Sequence, residues 1–297
     1  MECLTAPQDH AVWFYDDRSD LIGTVADFAA EGLREGEHVV LIATDEHLRD
    51  IKTLLADAGV DTTRLQAFDA ISALSGFYRD GVIDRDAFDG TIGALVRATA
   101  AKGTVRAFGE MVALLWADGA VSQAIELEAL WCDLRGVERF SLLCAYPSGV
   151  VLDEELHEPV NEVCELHSEV RIGDPGEPTT SMRVYPCTLE AVRDARRFVR
   201  SCLGDRFPGL EDTLLVASEL SSNAVGHAQT AFAVQVTWLG ETLRIGVRDA
   251  SESTPRLLPM TDYTESGRGI ATIAAVSARW GIDLHRSGKT VWAELAV

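Results

Sequence analysis

The sequence predicts an α/β protein with two domains, because of its length, a break near its middle and a change in element order across that break. The chain has 297 residues, which is long for one hydrophobic core and sufficient for two. Before the break, apolar strands alternate with helical stretches, which is typical of a largely parallel sheet with flanking helices. After it, two helices precede a hairpin, a long loop, a helix and a second hairpin, which indicates an α/β sandwich with helices on one face.

The N-terminal domain is predicted at residues 9–172. His38–Thr44 is a continuous apolar run, as expected of a strand covered on both faces. The predicted strands are Ala11–Tyr15, His38–Thr44, Leu65–Asp69, Val105–Gly109 and Arg139–Tyr146. The predicted helices are Asp20–Arg34, Asp45–Ala58, Arg85–Ala101, Val121–Arg135 and Asp153–Val170.

The break lies at residues 173–181, which contain two glycines, two prolines and three hydroxyl residues. Such a segment neither continues a helix nor fits inside a sheet, so it is predicted to be a linker. The C-terminal domain follows at 182–297. Its predicted helices are Leu189–Cys202, Gly209–Ala228 and Gly269–Ala278, and its predicted strands are Arg183–Pro186, Ala231–Leu239, Thr242–Asp249, Trp280–Arg286 and Thr290–Val297.

Charge and hydropathy exclude several functional classes. The net charge of −21 would repel a phosphate backbone, so nucleic acid is not expected as a direct partner. The acidity fits protein partners or serves solubility alone. No apolar run approaches the roughly 20 residues that span a bilayer, and residues 1–5 lack the features of a signal peptide. We therefore expect a cytoplasmic protein with no membrane segment.

The six cysteines show no C-x-x-C spacing and lie mostly in apolar surroundings. In a cytoplasmic protein this pattern predicts small buried hydrophobic residues, and neither disulfides nor zinc ligands are expected. The cysteines are Cys3, Cys132, Cys144, Cys164, Cys187 and Cys202.

One predicted helix carries two polar residues suited to a nucleotide site. Glu219 and Asn223 are four positions apart and point roughly away from the apolar stripe of that helix. An asparagine oxygen can bind Mg²⁺, and a carboxylate can orient or deprotonate an attacking hydroxyl or water. A solvated helix face produces the same pattern, so the pair gains weight only from the motifs that follow it.

Two such motifs follow. Asp249 ends a predicted strand, where a carboxylate can accept a hydrogen bond from the 6-amino group of adenine and select against guanine. Gly267-Arg268-Gly269 precedes a helix, where glycines let backbone N–H groups and the helix dipole approach a phosphate. A turn aspartate and a lone G-x-G are each common, but a loop as long as 250–266 is typical of a binding element or lid.

Four boxes in this order resemble the GHKL (Bergerat) ATPase fold, in particular its anti-sigma factor/serine kinase branch from Gram-positive bacteria. The boxes are Glu219-Leu-x-x-Asn223-Ala-x-x-His227-Ala, Val247-Arg-Asp249-x-Ser251-x-x-x-Pro255, Gly267-Arg-Gly269-Ile270, and Trp280-Gly…Gly288-Lys-Thr290-Val-Trp. The resemblance implies a mixed sheet with helices on one face, and a site for ATP and Mg²⁺.

The resemblance also implies roles for individual residues. Asn223 would bind Mg²⁺ and Glu219 would be the catalytic base. The remaining residues of the ATP site would be Asp249 and Thr290 at adenine, Gly267 and Gly269 at the phosphates, and Ser251 and Arg268 within the same boxes. The first glycine box reads Asp249-Ala-Ser251, without the glycines usual in histidine kinases and chaperones, which leaves catalytic competence open.

The N-terminal half resembles the MEDS (DcmR-like) sensory domain, which is related to RecA/KaiC-like folds. The resemblance rests on Asp9-His10-x-Val-x-Phe14-Tyr15, Phe28-x-x-Glu-Gly32-Leu33-x-x-Gly36-Glu37, Arg106-x-Phe108-Gly109-Glu110-Met111 and Leu143-Cys144-x-Tyr146-Pro147. No G-x-x-x-x-G-K-[ST] occurs, so no ATPase activity is expected in this half.

A small-molecule ligand of this sensory domain is expected at the carboxyl ends of the strands, where open α/β sheets place ligands. Glu110 follows a predicted strand there, and His10 and Tyr15 are the other candidates. Core packing of these side chains is the alternative.

Together the two resemblances imply an anti-sigma-factor-type regulator under sensory control. Such a protein would bind Mg-ATP and sequester a sigma factor, phosphorylate serine or threonine on a STAS anti-anti-sigma partner, or do both. A non-catalytic ATP-binding adaptor is one alternative. A histidine kinase with His157 as phosphoacceptor is another, although no partner helix completes a dimerising hairpin there. A homodimer is one alternative for the oligomeric state.

Overall fold

The computed structural model describes residues 10–153, 155–172, 181–239, 241–251 and 268–296, apart from the side chains of Leu152 and Arg268. The described residues form two compact units. The first comprises the residues up to Pro147 together with 165–172, and the second comprises 148–164 and those from 181 onward. Residues 148–164 were predicted to belong to the first domain, whereas they pack with the second unit.

The first unit is built on parallel strands, as predicted. Its strands are β1 (His10–Tyr15), β2 (His38–Ala43), β3 (Leu65–Asp69), β4 (Tyr78–Arg79), β5 (Val82–Ile83), β6 (Val105–Gly109), β7 (Phe140–Pro147) and β8 (Glu169–Ile172). Six of them form a sheet in the order β3-β2-β6-β7-β1-β8, with every pair parallel, while β4 and β5 make a small hairpin. The predicted helix Asp153–Val170 overlaps the first two residues of β8. A short edge strand of this kind is defined by its pairing with β1, which local sequence does not show.

Helices flank this sheet. They are α1 (Arg18–Arg34), α2 (Asp45–Asp57), α3 (Ala70–Ser75), α4 (Arg85–Phe88), α5 (Ala94–Ala100), α6 (Met111–Ala117) and α7 (Val121–Val137). A π-helical turn at Asp89–Gly93 joins α4 to α5, so the predicted helix Arg85–Ala101 is one helical run of two geometries. The side chains of Asp17 and Thr44 accept hydrogen bonds from the first turns of α1 and α2 and thereby fix where these helices begin.

The second unit is an α/β sandwich, as predicted. Its elements are α8 (His157–Leu166), β9 (Ser181–Tyr185), α9 (Leu189–Leu203), α10 (Leu210–Asn223), β10 (Phe232–Leu239), β11 (Thr242–Asp249), α11 (Arg268–Val276), β12 (Arg279–His285) and β13 (Gly288–Ala296). The strand order is β12-β13-β11-β10-β9. Every described pairing is antiparallel, in contrast to the mixed sheet implied by the resemblance, because hairpins supply two of the four pairings.

One face of this sheet carries the core of the second unit. Val234, Val247 and Val291 point to that face and pack with apolar residues of α9, α10 and α11. The helical run of α10 continues as a π-helical turn at Ala224–Ala228, which accounts for the longer helix predicted from the sequence.

Helix α8 protects the edge strand β9. The Asn161 side chain donates from Nδ2 to the Val184 carbonyl over 3.0 Å and accepts at Oδ1 from the Val184 N–H over 2.7 Å. The amide therefore satisfies the two backbone groups of Val184 that a further strand would otherwise pair. This contact explains why 148–164 belongs with the second unit.

Candidate functional site

Two helices of the second unit bring three predicted site residues together. Glu219 and Asn223 lie one turn apart on α10, half-buried, on a different side from the core residue Leu214. A Cβ placed on Gly269, at the start of α11, would lie 2.8 Å from Glu219 Oε2 and 3.5 Å from both amide atoms of Asn223. We call Glu219, Asn223 and Gly269 the polar corner. A side chain at Gly269 would displace the Glu219 carboxylate, so glycine keeps the corner open.

The polar corner has the chemistry of a phosphate and magnesium site. Asn223 Nδ2 is buried and has no hydrogen-bond partner within the described ranges of the chain. A buried donor of this kind is costly unless a ligand accepts from it, and phosphate oxygens do so. The Asn223 oxygen suits Mg²⁺, and the backbone N–H groups in the first turn of α11 suit an anion. The residues present therefore fit the phosphate end of Mg-ATP.

Asp249 lies at the end of β11 and is 3% exposed. Its Oδ1 accepts a hydrogen bond from Lys289 Nζ over 2.8 Å and another from the Ser251 N–H, also over 2.8 Å. Lys289 is 4% exposed, and it also donates to the Ser251 carbonyl over 3.1 Å. The carboxylate predicted to bind adenine therefore forms a buried ion pair within the chain.

Thr290 does not join Asp249. In the antiparallel register Asp249 lies opposite Lys289, while Thr290 lies opposite Arg248. Side chains alternate along a strand, so Thr290 points to the sheet face opposite Asp249, where its hydroxyl lies 2.9 Å from His285 Nε2. Sequence reasoning missed Lys289, although its position two residues before the core residue Val291 places it on the core face.

The remaining predicted residues of the ATP site are less informative. Ser251 contributes its backbone N–H and carbonyl to the Asp249–Lys289 pair. Gly267 lies outside the described residues. Arg268 is the first residue of α11, and its side chain also lies outside them.

The structure separates His10 from the other two candidates for a sensory site. His10 and Tyr15 begin and end β1, so about 16 Å of extended strand lies between them. Glu110 follows β6 at the carboxyl end of the sheet, where its Oε2 accepts from the Thr44 N–H over 2.9 Å and its Oε1 lies 2.7 Å from His47 Nδ1. Burial and the Glu110 charge raise the pKa of Tyr15 to about 12. The charge of Glu110 therefore acts on the Tyr15 hydroxyl, and the same carboxylate contacts His47.

His10 belongs to a different, fully buried group. Its Nε2 lies 3.7 Å from Glu128 Oε2, and its ring centroid lies 3.9 Å from that of His167. The Cys144 thiol donates to Glu128 Oε2 over 3.2 Å. Burial and the neighbouring His167 lower the pKa of His10 to about 4, although Glu128 opposes this shift. Burial works against the charge of Glu128, but His167 and His10 outweigh it and hold the pKa of Glu128 below its ordinary value.

Sequence reasoning missed Glu128 and His167, because neither lies in a local motif with the other members. Cys144 and Cys164 are buried, as predicted for the cysteines, whereas Cys132, Cys187 and Cys202 are only partly buried. Burial raises the pKa of the Cys144 thiol well above the ordinary value. Within the described part of the chain no two cysteines form a disulfide. Cys3 lies outside that part.

None of the described helices combines the length and the apolar character required to cross a membrane. A family model described as MEDS, MEthanogen/methylotroph, DcmR Sensory domain, matches residues 9–167, which is more than half of the chain. A model described as a histidine kinase-like ATPase domain matches residues 185–295.

Two solved structures from the archaeon Pyrococcus horikoshii OT3 are similar to the chain. One is a KaiC-like protein with 16% identity and a TM-score of 0.39, and the match covers 62% of this chain and 76% of that one. The other, from a structural study of the same organism, has 13% identity and a TM-score of 0.37, with 57% and 83% covered. No curated protein matches the chain significantly.

Proposed function

Since the chain belongs to the MEDS family and carries a histidine kinase-like ATPase domain, we propose that it is an anti-sigma-type regulator that binds Mg-ATP. The sensory domain governs its action on a sigma factor, on a STAS anti-anti-sigma protein or on both. The observation that carries the proposal is the polar corner, because Gly269 lies against Glu219 and Asn223. An ATP-binding regulator needs these groups in one place.

Each part of the polar corner has its own role. Asn223 binds the metal through its oxygen and donates from Nδ2 to a phosphate oxygen. Mg²⁺, when bound, neutralises charge on the triphosphate. Glu219 accepts the proton of the partner's serine or threonine hydroxyl while that oxygen bonds to the γ-phosphorus and ADP leaves. The N-terminal turn of α11 steadies the phosphates through its backbone N–H groups.

One observation favours a second candidate, a non-catalytic adaptor that binds ATP without turnover. Lys289 already neutralises Asp249 inside the unit. Adenine would therefore meet a carboxylate with one oxygen committed to Lys289 and to the Ser251 N–H. Weaker selection for adenine is compatible with an adaptor that binds nucleotide. A serine kinase also needs Glu219 as the proton acceptor.

The test uses the full chain with Mg-ATP labelled at the γ-phosphate, candidate STAS proteins and candidate sigma factors. We expect label on serine or threonine of a STAS protein. Glu219→Ala should retain ATP binding by calorimetry and lose about 10²–10⁴-fold in transfer rate, the usual contribution of a general base. Asn223→Ala should weaken Mg-ATP binding by about tenfold or more, because a hydrogen bond to a charged group is lost.

Glu211→Gln is the matched control, since Glu211 is an exposed acidic residue in the first turn of the same helix and its ion pairs with Arg196 and Arg200 are exposed. It should behave as the parent protein. ATP binding without label transfer, together with capture of a sigma factor or STAS protein, would support the adaptor. Acid-labile label on the chain itself that disappears in His157→Ala would point to a histidine kinase. No transfer and no binding to any sigma or STAS protein would refute the proposal.

A further inference from the structure

The buried group around Glu128 consists of four side chains that all bear metal-ligand atoms. His10 comes from the start of β1, Glu128 from α7, Cys144 from β7, and His167 directly follows α8. Their ligand atoms lie within 4.8 Å of one another. All four residues belong to the first unit, so the group is independent of the polar corner.

Four of the six distances between these atoms are close to those of tetrahedral coordination. Glu128 Oε2 lies 3.2 Å from Cys144 Sγ, 3.5 Å from His167 Nε2 and 3.7 Å from His10 Nε2. Cys144 Sγ lies 3.7 Å from His10 Nε2. An ion bound at about 2.0–2.1 Å to nitrogen and oxygen and about 2.3 Å to sulfur sets its tetrahedral ligands about 3.3–3.6 Å apart, so shifts of a few tenths of an ångström would bring these four distances to those values.

A hydrogen-bonded cluster without an ion explains this geometry less well. Ordinary N–H···O hydrogen bonds span about 2.7–3.2 Å, and both imidazole nitrogens lie farther than that from Glu128 Oε2. The two imidazole rings also lie close together, with centroids 3.9 Å apart. Two neutral imidazoles this close together can both bind one cation.

Neighbouring groups orient the four side chains. Tyr146 donates its hydroxyl to Glu128 Oε1 over 2.7 Å, which turns Oε2 toward the other members. Cys132 Sγ lies 3.5 Å from His10 Nδ1, on the other side of the ring from Nε2. Outer contacts of this kind fix ligand orientation in metal sites.

The backbone also fixes two of the members relative to each other. Ser168 donates from its backbone N–H and from its hydroxyl to the His10 carbonyl, over 2.8 Å and 3.0 Å. The residue next to His167 is therefore bonded directly to His10. The group is built on paired strands and needs no large rearrangement to close on an ion.

We propose that His10, Glu128, Cys144 and His167 form a closed, four-coordinate site for a divalent transition-metal ion, with Zn²⁺ as the best match. Two imidazoles, one thiolate and one carboxylate suit Zn²⁺ and disfavour Mg²⁺ and Ca²⁺. Cys144 binds as the thiolate, so each ion that enters releases the thiol proton to solvent. The charges of Glu128 and of the thiolate then balance the ion in a site that water does not reach.

The test uses the full chain, stripped with a chelator and titrated with Zn²⁺ or Co²⁺. We expect one equivalent of Zn²⁺ by elemental analysis after dialysis. With Co²⁺ we expect intense visible bands of tetrahedral coordination and a near-ultraviolet thiolate-to-cobalt band. His167→Ala should weaken Zn²⁺ binding by about a hundredfold or more, and Cys144→Ser should abolish the thiolate band. His38→Ala and Cys202→Ser, which change the same residue types outside the group, should bind as the parent does.

Circular dichroism establishes that each variant is folded. If a ligand variant does not fold, the cobalt spectrum of the parent chain decides, because it reports geometry and thiolate ligation without any substitution. A folded parent chain that retains no Zn²⁺, a cobalt spectrum without thiolate or tetrahedral features, or folded ligand variants that bind as tightly as the controls would each overturn the proposal.

Discussion

Asp249 in the second unit and Glu128 in the first are both buried carboxylates, but their charges are balanced by different means. Asp249 is paired with the ammonium group of Lys289, which the chain itself supplies. Glu128 is surrounded by His10, His167 and Cys144, whose charges depend on protons or on an ion. The Asp249–Lys289 pair therefore has a structural role. The carboxylate beside two histidines and a thiol, in contrast, has the composition of a metal site.

The largest test of this comparison removes the fixed cation. Lys289→Met leaves the Asp249 carboxylate buried without its cation, and we expect the free energy of unfolding of the second unit to fall by about 3–5 kcal/mol. Urea denaturation measures the loss, and hydrogen exchange of the β11 and β13 amides assigns it to this unit.

The matched control removes both charges. Asp249→Val combined with Lys289→Met leaves no buried charge, so most of the lost stability should return. A double variant as unstable as the single one would show that Lys289 acts through packing alone, and the comparison would fail.

A smaller effect is expected in the first unit. In the metal-free protein, Glu128→Gln retains an acceptor for Tyr146 and strands no permanent charge, so it should cost about 1–2 kcal/mol, the range of a net hydrogen bond. Zn²⁺ should raise the urea midpoint of the parent chain and leave that of Glu128→Gln nearly unchanged. A loss as large as that of Lys289→Met would contradict the distinction between the two carboxylates.

The smallest effect concerns a third carboxylate, Glu294 on β13, which accepts from Arg244 and Arg279, each over 2.7 Å. Burial opposes its charge, but the two guanidinium groups outweigh burial and lower the pKa of Glu294. Its contribution to stability is therefore present above the unfolded-state pKa of 4.5 and is lost as pH falls through the lower folded-state value.

Glu294→Gln should therefore flatten the decline in stability of the second unit below pH 4.5 while leaving the high-pH plateau parallel to that of the parent. Unfolding free energies measured between pH 6 and pH 3 test this expectation. An unchanged slope of unfolding free energy against pH in the variant would mean that Glu294 contributes nothing to the pH dependence of stability.

Local sequence patterns predicted much of this architecture. The continuous apolar run of β2 and the alternation of strands and helices predicted the parallel sheet, and spacing alone placed Glu219 and Asn223 one turn apart on α10. The position of Gly269 beside Glu219 and Asn223 was predicted from the order of the motifs, together with the close approach that a glycine before a helix allows. These features need only short-range periodicity and local backbone chemistry.

The features that sequence reasoning missed depend on register or on distant segments. Thr290 was assigned to adenine, but strand alternation turns Lys289 toward Asp249 in its place. Glu128 and His167 lie in separate elements, and packing alone brings them to His10. The separation of His10 from Tyr15, in contrast, follows from the length of one strand and was available from the sequence.

The pairing of β8 with β1 has a consequence for the order of synthesis. The Ser168–His10 hydrogen bond joins residues 158 positions apart, and α8, which is made between them, is bonded to Val184 in the second unit. Multidomain chains generally fold from the N-terminus, one domain after another, as they are made. Here the sheet of the first unit is complete only when β8 has been synthesised, whereas residues 148–164, which are synthesised before β8, pack with the second unit. A pause in translation before residue 169 would therefore leave one side of β1 unpaired.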